Sequence, residues 1–178
     1  MRRIFNFDNL SESKVVEKTN RAEHYTNSIS ACGCFFYRRR STGIEALLIS
    51  YADPGWPRLD DLGGQIDLAD SSLAHAMARE VSEESNGLIV GKLNGDHVMF
   101  DAAKEYKVYY TPQSKYYCLA VEVDDDFFPD TSVFGDFETT DKIYRKIEWY
   151  NLSNVSDKLA HRIKPISDII SSHPCAEK

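Results

Sequence analysis

The sequence lacks several features that would assign the protein to a specialised class. It has no apolar run long enough to cross a membrane and no secretory signal segment. Its four cysteines include no Cys-x-x-Cys pair, which disfavours zinc and redox motifs of that kind. Cys32 and Cys34 instead fit small buried side chains. We therefore expect a soluble cytoplasmic protein with reduced thiols and no membrane partner.

The sequence also lacks an excess of positive charge. Lys and Arg number 21 against 28 Asp and Glu, so the formal net charge is −7. Because nucleic-acid-binding surfaces are usually basic, a nucleic-acid partner is disfavoured. Two short basic stretches, Arg38-Arg39-Arg40 and the group Lys142, Arg145 and Lys146, leave that alternative open. A small anionic substrate would need a cation to approach such a chain.

The length and the apolar content predict one main domain. A chain of 178 residues that is 42% hydrophobic can bury one sizeable core, but two would be small. We expect residues 1–28 to form a leader or accessory segment, residues 29–172 to form the domain, and residues 173–178 to form a tail. Both a monomer and a homodimer agree with the sequence.

Strand patterns alternate with turn signals along most of the domain. The run ISACGCFFY is apolar enough to be a strand buried on both faces, and a basic turn separates it from the next strand. A Tyr-rich pair of runs reads as a hairpin. We expect a C-terminal helix interrupted near Pro165. The expected strands after the first run are 44–50, 88–90, 97–102, 107–111, 115–123 and 142–150.

One amphipathic helix carries an unusual concentration of carboxylates. Residues 70–72 supply N-cap side chains, and Leu73, Met77 and Val81 recur at the spacing of one helix face. Glu80, Glu83 and Glu84 are expected to converge on the other side. Like charges at this spacing repel each other unless a cation lies among them, and Mg²⁺ is the hard cation that prefers oxygen ligands.

The segment Arg79-Glu80-Val81-Ser82-Glu83-Glu84 resembles the core of the Nudix hydrolase box. The full box pattern is Gly-x5-Glu-x7-Arg-Glu-U-x-Glu-Glu-x-Gly-U, where U is a bulky aliphatic residue, and here it spans residues 64–88. The sequence departs from it in three ways. Asp70 replaces the first Glu, one extra residue precedes Arg79, and Asn86-Gly87 replaces the second Gly. None of these departures removes a helix carboxylate.

The resemblance implies both a fold and a reaction. The fold would be an α/β (α+β) sandwich in which a mixed central β-sheet packs between helices. The reaction would be Mg²⁺-dependent hydrolysis of the pyrophosphate bond in a nucleoside diphosphate linked to another moiety, with Mn²⁺ as the alternative ion. The implied metal ligands are Gly64, Glu80, Glu83 and Glu84.

The implied catalytic residues are Glu83, Glu84, Arg79 and Glu138. Arg79 would orient a box carboxylate, and the general base would be Glu84 or, from a loop outside the box, Glu138. The partner would be a small phosphorylated molecule, in the first place a nucleotide.

Substrate-binding candidates lie outside the box. A Trp face or a Tyr ring can stack on a base, and an Arg fork can hold phosphate, so we consider Trp56, Arg58 and Tyr110. Three readings stay open beside the nucleotide substrate. They are a capped messenger RNA, an inositol pyrophosphate, and a non-catalytic module that binds diphosphate without cleaving it.

Overall fold

A mixed β-sheet forms the centre of the protein. The structure, a computed structural model, describes residues 5–6, 16–18, 28–55, 58–95 and 97–172. The strands are β1 Phe5–Asn6, β2 Val16–Lys18, β3 Ser28–Ile29, β4 Ala31–Arg40, β5 Gly43–Tyr51, β6 Leu59–Asp60, β7 Leu62–Gln65, β8 Lys92–Asn94, β9 His97–Met99, β10 Ala103–Thr111, β11 Tyr116–Val123, β12 Phe137–Glu138 and β13 Ile143–Asn151. The helices are α1 Leu73–Glu84, α2 Leu152–Val155 and α3 Lys164–Ser172.

Nine of these strands belong to one sheet. Its main path runs β12-β13-β5-β4-β11-β10-β2, while β6 pairs with β5 and β7 pairs with β4. The β4–β11 and β10–β2 pairs are parallel and the other pairs are antiparallel. Helix α1 packs on one face of the sheet, and α2 and α3 pack on the other. The predicted mixed sheet between helices is therefore confirmed.

Strand β4 shows why the sheet is buried on both sides. Cys32, Cys34 and Phe36 join the core under α1, whereas Phe35 and Tyr37 join the core under α3. Successive side chains of a strand point to opposite faces, so a continuous apolar run serves both cores. The expected burial of Cys32 and Cys34 is confirmed.

Several expected boundaries were wrong: the strand expected at 97–102 ends at Met99, and the strand expected from 107 begins at Ala103. The short strand after α1 is β8 rather than residues 88–90, because Asn86 and Gly87 both have positive φ and the amide of Ile89 bonds to the Ser85 hydroxyl, which makes a turn there. Pro165 is the second residue of α3 and does not interrupt a helix, since its missing N–H is not needed in a first turn. Among the described residues, no helix is long and apolar enough to span a membrane.

Candidate functional site

An acidic cavity of about 630 Å³ opens where α1, β7 and the segment around β12 meet. Its lining contains two guanidinium groups, those of Arg79 and Arg162. Carboxylates far outnumber them. The acidic lining residues are Asp53, Asp60, Asp67, Glu80, Glu83, Glu84, Glu138 and Asp141. Such a lining favours a bound cation, and an anionic substrate would enter together with one.

Helix α1 and strand β7 place Gly64 directly against Glu80. The Ser72 hydroxyl caps α1 by accepting a hydrogen bond from the His75 amide at 3.1 Å, and the apolar stripe of the helix is buried as predicted. Glu80 lies on the edge of that buried face. A Cβ atom at Gly64 would overlap with the Glu80 carboxylate, so a glycine is required for this approach.

Arg79 holds two of the box carboxylates. Its Nη1 lies 2.8 Å from Glu83 Oε2 and 3.0 Å from Glu80 Oε1. Its Nε and Nη2 donate to the two oxygens of the buried Asp70 at 3.0 and 2.9 Å, and Nη2 also donates to the Gln65 carbonyl at 2.8 Å. Asp70 therefore fixes the guanidinium group, which in turn orients the carboxylates, as a bidentate pair does.

Glu84 occupies a different environment from Glu80 and Glu83. Its Oε1 accepts a hydrogen bond from the Tyr51 hydroxyl at 3.3 Å, while its Oε2 is buried without a hydrogen-bond partner. The nearest cation is Arg145, whose Nε is 4.0 Å from Oε2 and is equally buried without a hydrogen-bond partner. Burial raises the pKa of Glu84 to about 7, although Arg145 opposes the shift. Burial likewise raises the pKa of Glu80 to about 7 against the opposing effect of Arg79.

The site offers oxygen ligands for a hard cation, but they are not assembled into one cluster. Within residues 28–55, 58–95 and 97–172, no group of three His, Cys, Asp or Glu side chains is arranged to hold a metal ion. Glu80 and Glu83 face Arg79, whereas Glu84 faces Tyr51 and Arg145, so the expected convergence of the three is not seen. The unpartnered Glu84 oxygen and the close Gly64–Glu80 approach nevertheless fit a divalent cation.

Glu138 reaches the cavity from outside the box. It lies on β12, is only 3% exposed, and accepts hydrogen bonds from the backbone amides of Thr140 and Asp141. It also raises the pKa of Glu84 through its charge. The structure thus brings both candidate bases to one cavity.

The three substrate-binding candidates are placed differently. Arg58 lines a second cavity of about 370 Å³, which shares Asp60 and Arg162 with the acidic cavity. Tyr110 is 3% exposed in the core under α1 and does not line either cavity, so its ring cannot stack on a base there. Trp56 lies outside the described residues.

Several side chains of the site were not identified by the sequence patterns. Tyr51, Asp60, Arg145 and Arg162 line the cavity or contact its carboxylates. Arg162 donates to Asp60 at 2.8 Å and to the Gly63 carbonyl at 3.1 Å, which ties the segment before α3 to β6 and β7. One signal was present: Arg145 occupies an inward position of β13, two residues before the buried Ile147.

The two basic stretches do not form a free basic strip. Arg38 pairs with Glu45 at 2.8 Å and stacks on the Trp149 ring at 4.0 Å. Arg39 pairs with Glu122 at 3.2 Å, and the side chain of Arg145 is fully buried. The three consecutive arginines also lie in β4 rather than in a turn. The charges of Arg38 and Arg39 are therefore matched within the protein, whereas the side chains of Lys142 and Lys146 are exposed.

No protein-family model matches this sequence, and no curated protein does. Among solved structures, the chain is similar to an Ap4A hydrolase from C. elegans in a binary complex, at 16% identity over 82% of this chain and 99% of that chain, with a TM-score of 0.44. It is also similar to a NUDIX hydrolase from Nitrosomonas europaea, at 14% identity over 78% and 87% of the two chains, with a TM-score of 0.42. A third similar structure is NrtR from Shewanella oneidensis, at 14% identity over 76% and 58%, with a TM-score of 0.42.

Proposed function

We propose that this chain is a Nudix-type pyrophosphohydrolase that cleaves the pyrophosphate bond of a nucleoside diphosphate linked to another moiety. The observation that carries the proposal is the arrangement of the box. Helix α1 presents Glu80, Glu83 and Glu84 to an acidic cavity, while Gly64 lies against Glu80 from the facing strand. A structural helix needs neither the glycine approach nor a buried, unpartnered carboxylate oxygen.

The proposed reaction is attack of water on one phosphorus, with cleavage of its bond to the bridging oxygen, which leaves on the other phosphoryl group. Mg²⁺, with Mn²⁺ as the alternative, would be held by Gly64, Glu80, Glu83 and Glu84, and would neutralise the diphosphate and lower the pKa of a water. A water proton passes to a carboxylate, the new P–O bond forms, and the old one breaks. The products are a nucleoside monophosphate and a phosphorylated second moiety.

The side chains around the box have supporting roles in this scheme. Arg79, fixed by Asp70, orients Glu80 and Glu83 through its hydrogen-bonded guanidinium group. Tyr51 holds one oxygen of Glu84 and leaves the other available. Glu84 and Glu138 are the two candidates for the general base, because both carboxylates line the cavity.

We expect Glu83→Gln and Glu84→Gln each to lower turnover by about tenfold or more, without lowering the melting temperature below that of the wild type. The measurement is a hydrolysis screen with Mg²⁺ and Mn²⁺ over nucleoside triphosphates, nucleotide sugars, dinucleoside polyphosphates, ADP-ribose, inositol pyrophosphates and capped RNA. Glu105→Gln, an exposed residue of β10, is the matched control and should keep full turnover. Unchanged turnover in both box variants would exclude this assignment.

A second candidate is a module that binds diphosphate without cleaving it. The separation of Glu84 from the Arg79-bound pair favours this reading, since the three carboxylates do not form one cluster. Titration calorimetry with the same compounds separates the two functions. Binding without hydrolysis by the wild type supports the module, whereas turnover that depends on Glu84 supports the enzyme.

A further inference from the structure

Asn86 stands where the box pattern has its second glycine. Its φ is +52°, and Gly87 after it has a φ of +79°, so the chain leaves α1 through two left-handed residues. Glycine adopts this backbone at no steric cost, and Asn is one of the few side chains that tolerate it. A glycine would therefore suffice for the turn. The presence of an amide side chain points to a further role.

The Asn86 side chain makes four hydrogen bonds to one distant segment. Its Nδ2 donates to the carbonyls of Phe134 and Phe137 at 3.0 and 2.9 Å. Its Oδ1 accepts from the amide and the hydroxyl of Thr139 at 3.1 and 3.2 Å. An amide side chain offers two donor hydrogens and two acceptor lone pairs, so its full hydrogen-bonding capacity is used.

The segment held in this way carries Glu138. The Glu138 carboxylate is bound by two amides of its own segment, those of Thr140 and Asp141, so these contacts set its rotamer but not its distance from α1. Strand β12, on which it lies, pairs with β13 over only two residues. A contact between this segment and the end of α1 is needed to fix Glu138 relative to Glu84.

Arg145 makes a second tie between the same parts. It donates to the Gly135 carbonyl at 3.0 Å and to the Glu84 carbonyl. However, its guanidinium group also lies beside the Glu84 carboxylate, so its removal would change the site directly. Asn86 does not line the cavity. It is therefore the residue at which the tie can be tested without altering the cavity lining.

We propose that Asn86 is a positioning residue whose side chain clamps residues 134–139 to the end of α1 and so holds Glu138 across the cavity from Glu84. Its importance for turnover rests on the proposed function. The clamp itself does not rest on the proposed function, because it concerns only the hydrogen bonds that hold residues 134–139 to the end of α1.

The clamp is tested by amide hydrogen exchange in the full chain. Asn86→Gly keeps a residue suited to positive φ and removes the four hydrogen bonds, so the amides of residues 139–141 should exchange at least about tenfold faster. Lys115→Gly, at a φ of +49° on the β10–β11 connection, makes the same kind of change elsewhere and should leave these amides unchanged. Asn86→Asp keeps the acceptor but places a carboxylate oxygen against the Phe134 and Phe137 carbonyls, so exchange at least as fast as in Asn86→Gly is expected. Wild-type exchange in Asn86→Gly would overturn the clamp.

Kinetics test whether the clamp acts through Glu138. We expect Asn86→Gly to lower kcat about tenfold with little change in KM, because a misplaced group costs rate rather than binding. The double variant Asn86→Gly/Glu138→Gln should be no slower than Glu138→Gln alone. Effects that multiply would show that Asn86 does not act through Glu138. If the wild type hydrolyses nothing, the proposed function fails, and the exchange result still decides the clamp.

Discussion

Asp70 is a buried carboxylate whose burial is compensated by Arg79. The residue is 1% exposed and accepts two hydrogen bonds from the guanidinium group and one from the Asp67 amide at 2.8 Å. Burial alone would raise the pKa of Asp70, but these hydrogen bonds outweigh it and the pKa is lowered. At the sequence level Asp70 looked like a cap residue that departed from the box pattern. In the structure it orients the arginine of the box.

We expect Asp70→Asn to destabilise the fold by about 2 kcal/mol and to lower turnover, because Arg79 loses its charged partner. The lowered pKa means that the wild-type stabilisation is present above the unfolded pKa of Asp and is lost as the pH falls through the folded pKa. Urea unfolding of both proteins at pH 7 and at pH 3 measures this, and the difference between them should shrink at the lower pH.

The matched control for Asp70 is Asp168→Asn. Asp168 pairs with Lys164 at 2.6 Å, but the pair is exposed on α3, where such bridges contribute about 0.5 kcal/mol or less. An equal loss of stability in the two variants would contradict the role given to the Asp70–Arg79 pair.

Strand β7 carries two glycines with different neighbours. A Cβ atom at Gly63 would lie 2.5 Å from the Cys32 carbonyl and from Gly33 Cα, which are backbone atoms of the adjacent strand. A Cβ atom at Gly64 would instead meet the end of the Glu80 side chain. Backbone atoms of a central strand cannot move aside without loss of strand pairing, whereas a carboxylate can rotate away.

We expect Gly63→Ala to destabilise the protein strongly, by about 3 kcal/mol or more, since the clash distorts the β4–β7 pair. Gly64→Ala should cost less stability and more activity, because it displaces Glu80 from the box. Thermal unfolding and turnover of both variants measure the contrast. Similar stability losses in the two variants, or full turnover in Gly64→Ala, would contradict a structural role for Gly63 and a site role for Gly64.

The elements themselves were largely predictable. Helix α1 follows the period of its apolar residues and its Ser72 cap, and the β10–β11 hairpin follows its Tyr-rich and Val-rich runs. These signals lie within a dozen residues. The wrongly placed strand after α1 shows their limit, because the turn at Asn86 is held partly by a segment about fifty residues further along the chain.

The acidic cavity brings together carboxyl groups whose ionisation opposes folding. Burial raises the pKa of Glu80, Glu84 and Asp60 to about 7 in each case. A carboxyl with a raised folded-state pKa stabilises the protein below its unfolded pKa, and this contribution is lost as the pH rises to the folded pKa. All three pKa values are raised, so each of the three groups lowers the free energy of unfolding as the pH rises.

Without divalent metal, we therefore expect the free energy of unfolding to fall between about pH 4.5 and pH 7 and then to level off. Addition of Mg²⁺ or Mn²⁺ at pH 8 should raise the melting temperature, since a cation binds the ionised carboxylates of the folded state. The gain should shrink towards pH 5. Chemical unfolding in chelator across this range, followed by melting curves with each metal, provides the measurement.

Glu84→Gln is the control for the pH effect. It removes one of the three carboxyl groups with a raised pKa, so the free energy of unfolding in chelator should depend less on pH. It should also weaken the stabilisation by metal. A free energy of unfolding that rises from pH 4.5 to pH 7, or a melting temperature that no divalent metal changes, would contradict the proposed carboxylate site.

Short-range patterns in the sequence were enough to predict the helix with its three glutamates, the strand runs and the position of the box, since these depend on periodicity and spacing over short stretches. That Glu84 faces Tyr51 and Arg145, away from the pair of glutamates at Arg79, followed only from the tertiary structure. The partners are far apart along the chain: the Arg145–Glu84 contact spans 61 positions and the Arg162–Asp60 contact spans 102. Such contacts depend on how the strands are ordered in the sheet, and no local pattern of residues encodes that order.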